Sequence, residues 1–392
     1  MAQVTVVGAG LAGLVAAITA VQEGASVRLL EAHSELGGRA RSADGPFVAN
    51  FGPHALYKGL SNWRWLEKHD LLPPTVTPPS LGVRYRHAGR LRKTLPPRLL
   101  RALPLMLRPA PAEQDFHSWV ASRKGTASAE LACGLAGALS FHHDPGSLSA
   151  AFVAERLRWV YAPPSIRHVK GGWGELIGRL GEHAEQIGVS IQTGVRVTET
   201  PEPPVVLATE LHEARRLLGD ETLRAEGATC ALLDLALEHR RGDPIAILDL
   251  EQGALIESFS SRDGTVAPED CQLIQAQIGI KDTDGAEEGI ARLELLMGEG
   301  FPGWRERVRW RRRQISLDRT GAVDPPGRSW RDRPALDRGN GIFLAGDMVR
   351  APGFLSEVSF TSAQHAARGA AAWDSRPSEQ AADPPASKVR ER

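Results

Sequence analysis

Gly8, Gly10 and Gly13, followed by an acid at Glu31, are the residues whose types and spacing specify chemistry most directly. A glycine at the first position permits a tight turn. At the second it lets a diphosphate approach the backbone, and at the third it lets a helix pack closely on a strand. A helix starting at Leu11 and Ala12 would turn free N–H groups and the positive end of its dipole towards the phosphates. Glu31 is placed to accept hydrogen bonds from a ribose 2′-hydroxyl, and its charge would repel a 2′-phosphate, which disfavours NADP. The expected chemistry is dinucleotide binding.

The elements that must hold these residues surround them in the sequence. Residues 4–7 form a short β-branched run suited to a strand buried on both faces, residues 11–23 are good helix formers without proline, and Gly24 ends that run before a second apolar strand at 27–30.

Beyond Glu31 the chain reads Ala32-His33-Ser34-Glu35-Leu36-Gly37-Gly38-Arg39, and near its other end Gly341-Ile342-Phe343-Leu344-Ala345-Gly346-Asp347 precedes a helical run. The two stretches resemble the FAD fingerprints of the flavin amine oxidase superfamily, which includes monoamine oxidases, protoporphyrinogen oxidases, phytoene desaturases and squalene-forming dehydroxylases. Gly-Gly-Arg-Ala-Arg-Ser at 37–42 and Gly-Pro-His at 52–54 are closest in wording to the desaturase and dehydroxylase branch. The resemblance implies an α/β fold, an FAD-binding Rossmann-like domain of the glutathione reductase type with an interleaved α+β substrate domain.

It also implies roles. Gly37, Gly38 and Arg39 would line the diphosphate and flavin edge, with Ala32 beside Glu31 in the same site. Gly52 and Pro53 would pass alongside the flavin ring, making His54 a candidate active-site group, although a histidine satisfied in a turn is an equal reading. Val195 would hold the adenine through its backbone. Gly346 and Asp347 would reach the ribityl or phosphate portion, and the backbone at Leu355 and Ser356 would point helix-end N–H groups at the flavin. Val358 and Ala363 stand where many relatives have glycine, which implies a looser helix approach or a reshaped pocket. No cysteine lies in the C-terminal motif, so FAD is expected to be non-covalent.

The activity so implied is hydride removal from a substrate carbon to flavin N5, desaturating or oxidising an apolar isoprenoid- or polyketide-like metabolite. Amine or amino-acid oxidation is the alternative, for which Tyr57, Tyr85 and Tyr161 are the only tyrosines available to form an aromatic pair. Two readings of other classes stay open: a lipid-binding escort similar to the Rab GDP-dissociation inhibitors, and a flavin isomerase without net redox change.

At 392 residues the chain can build two domains. Forty-seven basic residues balance 47 acidic ones, giving no global attraction to nucleic acid. Three dispersed cysteines make neither a metal set nor a disulfide framework, and no apolar signal region or membrane-length run is present, so a cytoplasmic protein is expected.

Residues 1–70, 165–211 and 325–373 are assigned to the FAD-binding domain, 71–164 and 212–324 to the substrate domain, and 374–392 to a disordered tail. The stretch 71–112 is broken by prolines, lacks acids and carries Arg84, Arg86, Arg90, Arg92, Lys93, Arg98, Arg101 and Arg108. It reads as a lid, a channel for an anionic substrate, or a peripheral membrane contact through 84–108. His142, His143 and Asp144 read as loop residues, with no metal site expected. Residues 47–56 read as a strand entering a turn, and 189–197 as two short strands around Gly194. Arg305, Arg307, Arg309, Arg311 and Arg313 alternate, as on one face of a strand: a solvated surface, or an anion-steering stripe joining the basic segment.

Overall fold

The computed structural model describes residues 2–78, 81–161, 165–318, 321–353 and 355–373, so the tail expected at 374–392 lies outside the described residues. Five short strands form a parallel sheet in the order Ile342–Leu344, Val205–Leu207, Gln3–Val7, Ser26–Leu30, Ser190–Gln192. The first strand sits at its centre, and the burial of Val4, Val6 and Val7 explains its unbroken apolar run. The following helix, Leu11–Gln22, is buried at every residue from 11 to 20. It lies against the sheet and is covered by the helices Trp173–Gln186 and Ser356–Ala372, which share its core. A Cβ on Gly13 would lie 1.7 Å from the Gly8 carbonyl oxygen, so only glycine allows this approach.

A seven-stranded sheet follows the order Val308–Ser316, Thr229–Glu238, Cys271–Ile280, Leu255–Ser258, Ala246–Asp249, Val83–His87, Arg90–Arg92. Its neighbours are antiparallel except Ala246–Asp249 with Val83–His87. One face is apolar and packs Leu233, Leu235, Ile274 and Ile278 against Leu293 and Met297 of the helix Ala286–Gly300. The opposite face carries buried Asp234, Gln275 and Gln277. Helices Pro97–Met106, Phe116–Lys124, Thr126–Ser140 and Ala150–Tyr161 build a further core with Leu248 and Leu255. The chain therefore forms the expected parallel α/β unit with an interleaved sheet-and-helix unit.

Four expectations are corrected. Residues 47–55 do not form a strand, which is confined to Leu56–Tyr57, with one isolated bridge between Ser42 and Asn50. The Asn50 carbonyl instead accepts from Gly52 N and from the side chains of Gln275 and Arg312, so no ladder can form there. The second strand of the 189–197 pair is also absent. Gly194 N and Val195 N donate to the carbonyls of His33 and Glu31, which bends the chain around the end of strand Ser26–Leu30 after Ser190–Gln192 has paired with it.

The arginine alternation begins only at Val308, because Arg305 and Arg307 lie in the 3-10 turn Trp304–Arg307. Arg309, Arg311 and Arg313 pair with Glu238, Glu294 and Glu287, so the stripe is neutralised locally. Its strand also occupies the sheet edge opposite Val83–His87 and Arg90–Arg92, and it does not join the basic segment. Within that segment, Leu99, Ala102 and Met106 turn inward while Arg98, Leu100 and Arg101 face out. Among the described residues, no helix is long and apolar enough to cross a membrane.

Candidate functional site

An open cavity of about 430 Å³ runs across the carboxyl ends of the parallel strands, bordered by Val7, Leu30, Ala208 and Gly346. This is where open α/β sheets bind ligands, because successive connections diverge to opposite faces and leave a crevice. Gly8, Gly10, Leu11, Ala12, Glu31, Ala32, Gly37, Gly38, Arg39, Pro53, His54, Val195, Gly346, Asp347, Leu355 and Ser356 all border it. Gly13 and Gly52 do not: Gly13 serves helix packing, and Gly52 lies in a buried turn at φ +102°.

At one end, Glu31 is buried and aimed by two backbone donors, Ala9 N at 2.7 Å to Oε2 and His33 N at 2.9 Å to Oε1. Val195 N donates to the Glu31 carbonyl at 2.8 Å, bringing residue 195 to the same rim.

At the centre, Gly10 caps the first helix without a side-chain hydrogen bond, and no acid occupies the first turn. Its N–H groups and dipole are thus presented to the cavity. A Cβ built on Gly10 would meet nothing closer than the Gly37 carbonyl oxygen at 3.9 Å, so the missing side chain leaves a cradle, not a packing contact. Gly37 N donates to the Ala9 carbonyl at 2.8 Å, tying the two glycine motifs together.

At the far end, Arg39 Nη2 donates to both carboxylate oxygens of Asp347 at 2.8 and 2.9 Å, and Nη1 donates to the Asp318 carbonyl at 2.8 Å. Asp347 raises the Arg39 guanidinium above its ordinary range, while burial raises the Asp318 carboxyl. His54 Nε2 lies 3.0 Å from the Arg39 carbonyl, and its ring packs on Trp173 at 4.7 Å. Since a carbonyl only accepts, Nε2 is assigned the proton.

The C-terminal helix starts from Leu355, held at φ 52° and ψ −122° without a side-chain cap. That backbone costs a leucine about 1–3 kcal/mol and turns the uncapped helix end to the cavity. Buried Glu357 accepts from Ser61 N at 2.8 Å, locking this helix to Ser61–Lys68. Val358 and Ala363 are both buried in this helix.

Thr209, the end of the run 203–209, borders the cavity as well, and so do Phe141 and Glu210, which were not anticipated. Thr209 and Glu210 follow the strand Val205–Leu207, and their place just past a parallel strand was the usable signal. Phe141 arrives from the end of the helix Thr126–Ser140 in a left-handed conformation at φ 61°, for which the local sequence offers no cue. His142 and His143 follow it in a loop with rings 4.6 Å apart, and burial followed by the neighbouring His143 lowers the His142 pKa. Among the described residues, no cluster of His, Cys, Asp and Glu is arranged to hold a metal.

The family described as NAD(P)-binding Rossmann-like domain matches residues 6–68. No curated protein sequence matches the chain. An oxidoreductase from Methanosarcina mazei superposes with a TM-score of 0.76 at 17% identity, covering 93% of this chain and 99% of its own. Cyclohexylamine oxidase from Brevibacterium oxydans gives 0.70 at 17%, covering 94% and 98%. Reduced UDP-galactopyranose mutase gives 0.69 at 13%, covering 94% and 95%. The chain shares its fold with these proteins over nearly its whole length. Within this fold the cavity lies where the two glycine-bearing ends of the chain meet, since residues 8–39 supply one wall and residues 346–359 another.

Proposed function

We propose that the chain is a flavoenzyme that holds FAD non-covalently along this cavity and oxidises or desaturates a small, largely apolar molecule. The observation that carries the reading is the Arg39–Asp347 pair, which unites both glycine-rich ends on the cavity that Gly10, Glu31 and Val195 also border. The residues suit the group. Glu31 would take the adenosine ribose, the uncapped helix at Gly10 the diphosphate, and Arg39, Asp347 and the Leu355–Ser356 backbone the flavin end. Bound there, FAD would supply the acceptor for a hydride from a substrate carbon.

The chain's own residues orient and shield. His54 donates through Nε2 to the Arg39 carbonyl and packs on Trp173, so its proposed role is to hold the Gly38–Arg39 turn against the cofactor. Tyr57, Leu60 and Val160 cluster with Leu139, Tyr161 and Leu355, bringing apolar surface to the end where Leu355 borders the cavity. That surface supports an apolar isoprenoid- or polyketide-like substrate. The outward face at Arg98, Leu100 and Arg101 is the part of segment 84–108 that would rest on an anionic membrane.

The test is the visible absorption spectrum of the purified protein before and after unfolding. Flavin bands released on unfolding support the reading, and bleaching in an anaerobic substrate screen would identify the class of molecule oxidised. A colourless protein that cannot be reconstituted with FAD would replace it with a lipid-binding escort.

A further inference from the structure

The face of the seven-stranded sheet turned away from the helix Ala286–Gly300 holds buried amides. On strand Cys271–Ile280, Gln275, Gln277 and Gly279 share this face by alternation. Register places Asp234 beside Gln275 and Leu232 beside Gln277, with Arg312 and Gln314 on the next strand. Asp234 and Arg312 form an ion pair. Gln275 Nε2 donates to the Asn50 carbonyl at 2.8 Å and to Asp234 Oδ1 at 2.9 Å. Gln277 differs. It is 1% exposed, yet neither its Nε2 nor its Oε1 has a hydrogen-bond partner, and the Oε1 atoms of Gln275 and Gln314 are also unmet. An unmet buried amide is costly, so several on adjacent strands mark a place where another molecule supplies the partners.

Position indicates which molecule. One step along the face, Gln275 holds Asn50, whose side-chain oxygen accepts from Trp173 N at 2.8 Å. Trp173 packs on His54, and both border the cofactor cavity. One step the other way, a Cβ on Gly279 would lie 2.7 Å from the Phe141 carbonyl oxygen, and Phe141 borders the cavity too. Gln277 therefore lies between the supports of two cavity walls.

We propose that the Gln277 carboxamide, with the Gln275 and Gln314 oxygens beside it, is a subsite that orients the substrate through one neutral group able to donate and accept, such as a hydroxyl or amide. A charged group is disfavoured because Asp234 and Arg312 already neutralise each other and the glutamines carry no charge. Leu232 and Leu255, the register neighbours of Gln277, keep the surroundings apolar. The inference rests on the flavoenzyme reading and refines its substrate: an apolar body gripped by a single polar group.

The test uses the full-length flavoprotein and Gln277→Met, which preserves volume while removing both polar atoms. Farnesol and its hydrocarbon counterpart farnesene are titrated anaerobically and read from the visible flavin spectrum. Farnesol should perturb the parent at a concentration about ten-fold lower than farnesene, and the variant should lose that preference while keeping its flavin. Equal responses in the parent, no response to either, or a preference surviving in the variant would overturn the proposal. The variant should also melt at or above the parent temperature. A clear fall would mean that Gln277 is tied to the framework through internal water, which overturns the subsite as well. Absence of flavin from the parent would sink the enzyme reading instead, and the spectrum before titration separates the two failures.

Discussion

Arg39 and Asp347 are 308 residues apart in the chain, and one guanidinium nitrogen of the first donates to both carboxylate oxygens of the second. The pair joins the turn after the second glycine motif to the loop after the last parallel strand. It closes the cavity from two separate chain segments.

Asp347→Ala removes that link, and Glu31→Ala removes the acceptor at the other end. Each variant should retain FAD about ten-fold less tightly or worse, the scale of one charge-assisted hydrogen bond. The readout is the flavin-to-protein absorbance ratio after gel filtration. Full flavin in both variants would mean that the cofactor is placed wrongly.

Gly10 and Gly13 should separate binding from folding. A Cβ on Gly13 meets the Gly8 oxygen at 1.7 Å, whereas one on Gly10 meets nothing within 3.8 Å, its nearest neighbour being at 3.9 Å. Gly13→Ala should cost about 3 kcal/mol or more through overpacking. Gly10→Ala should stay within about 1 kcal/mol of the parent yet lose flavin, because its methyl group fills the cradle. Denaturant unfolding together with flavin content decides between these outcomes.

Asp234 is fully buried and pairs with Arg312, whose Nη2 also donates to the Asn50 carbonyl. Asp234→Ala leaves that guanidinium without its carboxylate, so a loss of about 3–5 kcal/mol is expected on chemical unfolding. A loss below about 1 kcal/mol would show that the pair does not anchor the Asn50 loop.

His142 is buried, and its pKa is lowered from the ordinary 6.5. Above 6.5 the ring is neutral in both folded and unfolded chains and contributes nothing to the pH dependence. As pH falls below that value the unfolded chain takes up a proton that the folded one refuses, so stability should decline. Melting temperatures across this range should fall less steeply for His142→Gln than for the parent, and parallel curves would remove His142 as a source.

Arg309 and its partner Glu238 are 56% and 44% exposed. Arg309→Gln should therefore change stability by no more than about 0.5 kcal/mol, with little dependence on salt. A large salt-sensitive loss would revive a collective role for this edge.

The sequence by itself determined the local fold of the first strand, its glycine turn and the helix that follows. Turn, helix start and strand are local there, and each glycine has a steric reason within a few residues of itself: Gly8 turns with φ +95°, and Gly13 sits under the Gly8 carbonyl. Glu31 was legible for the same reason, because its two donors, Ala9 and His33, belong to the same short unit. Tertiary structure alone decided the rest. Residues 47–55 have the composition of a strand, but distant Gln275 and Arg312 take the Asn50 carbonyl and prevent a ladder. The arginine alternation left a solvated surface and an anion-steering stripe both open, because the acids that cancel it come from other elements, Glu294 from a helix and Glu238 from the neighbouring strand. The Gln277 amide was silent in sequence, since a glutamine in an apolar strand has meaning only once every neighbouring donor and acceptor is accounted for. Local sterics write themselves into spacing, whereas hydrogen-bond satisfaction across a core is settled by which segments meet.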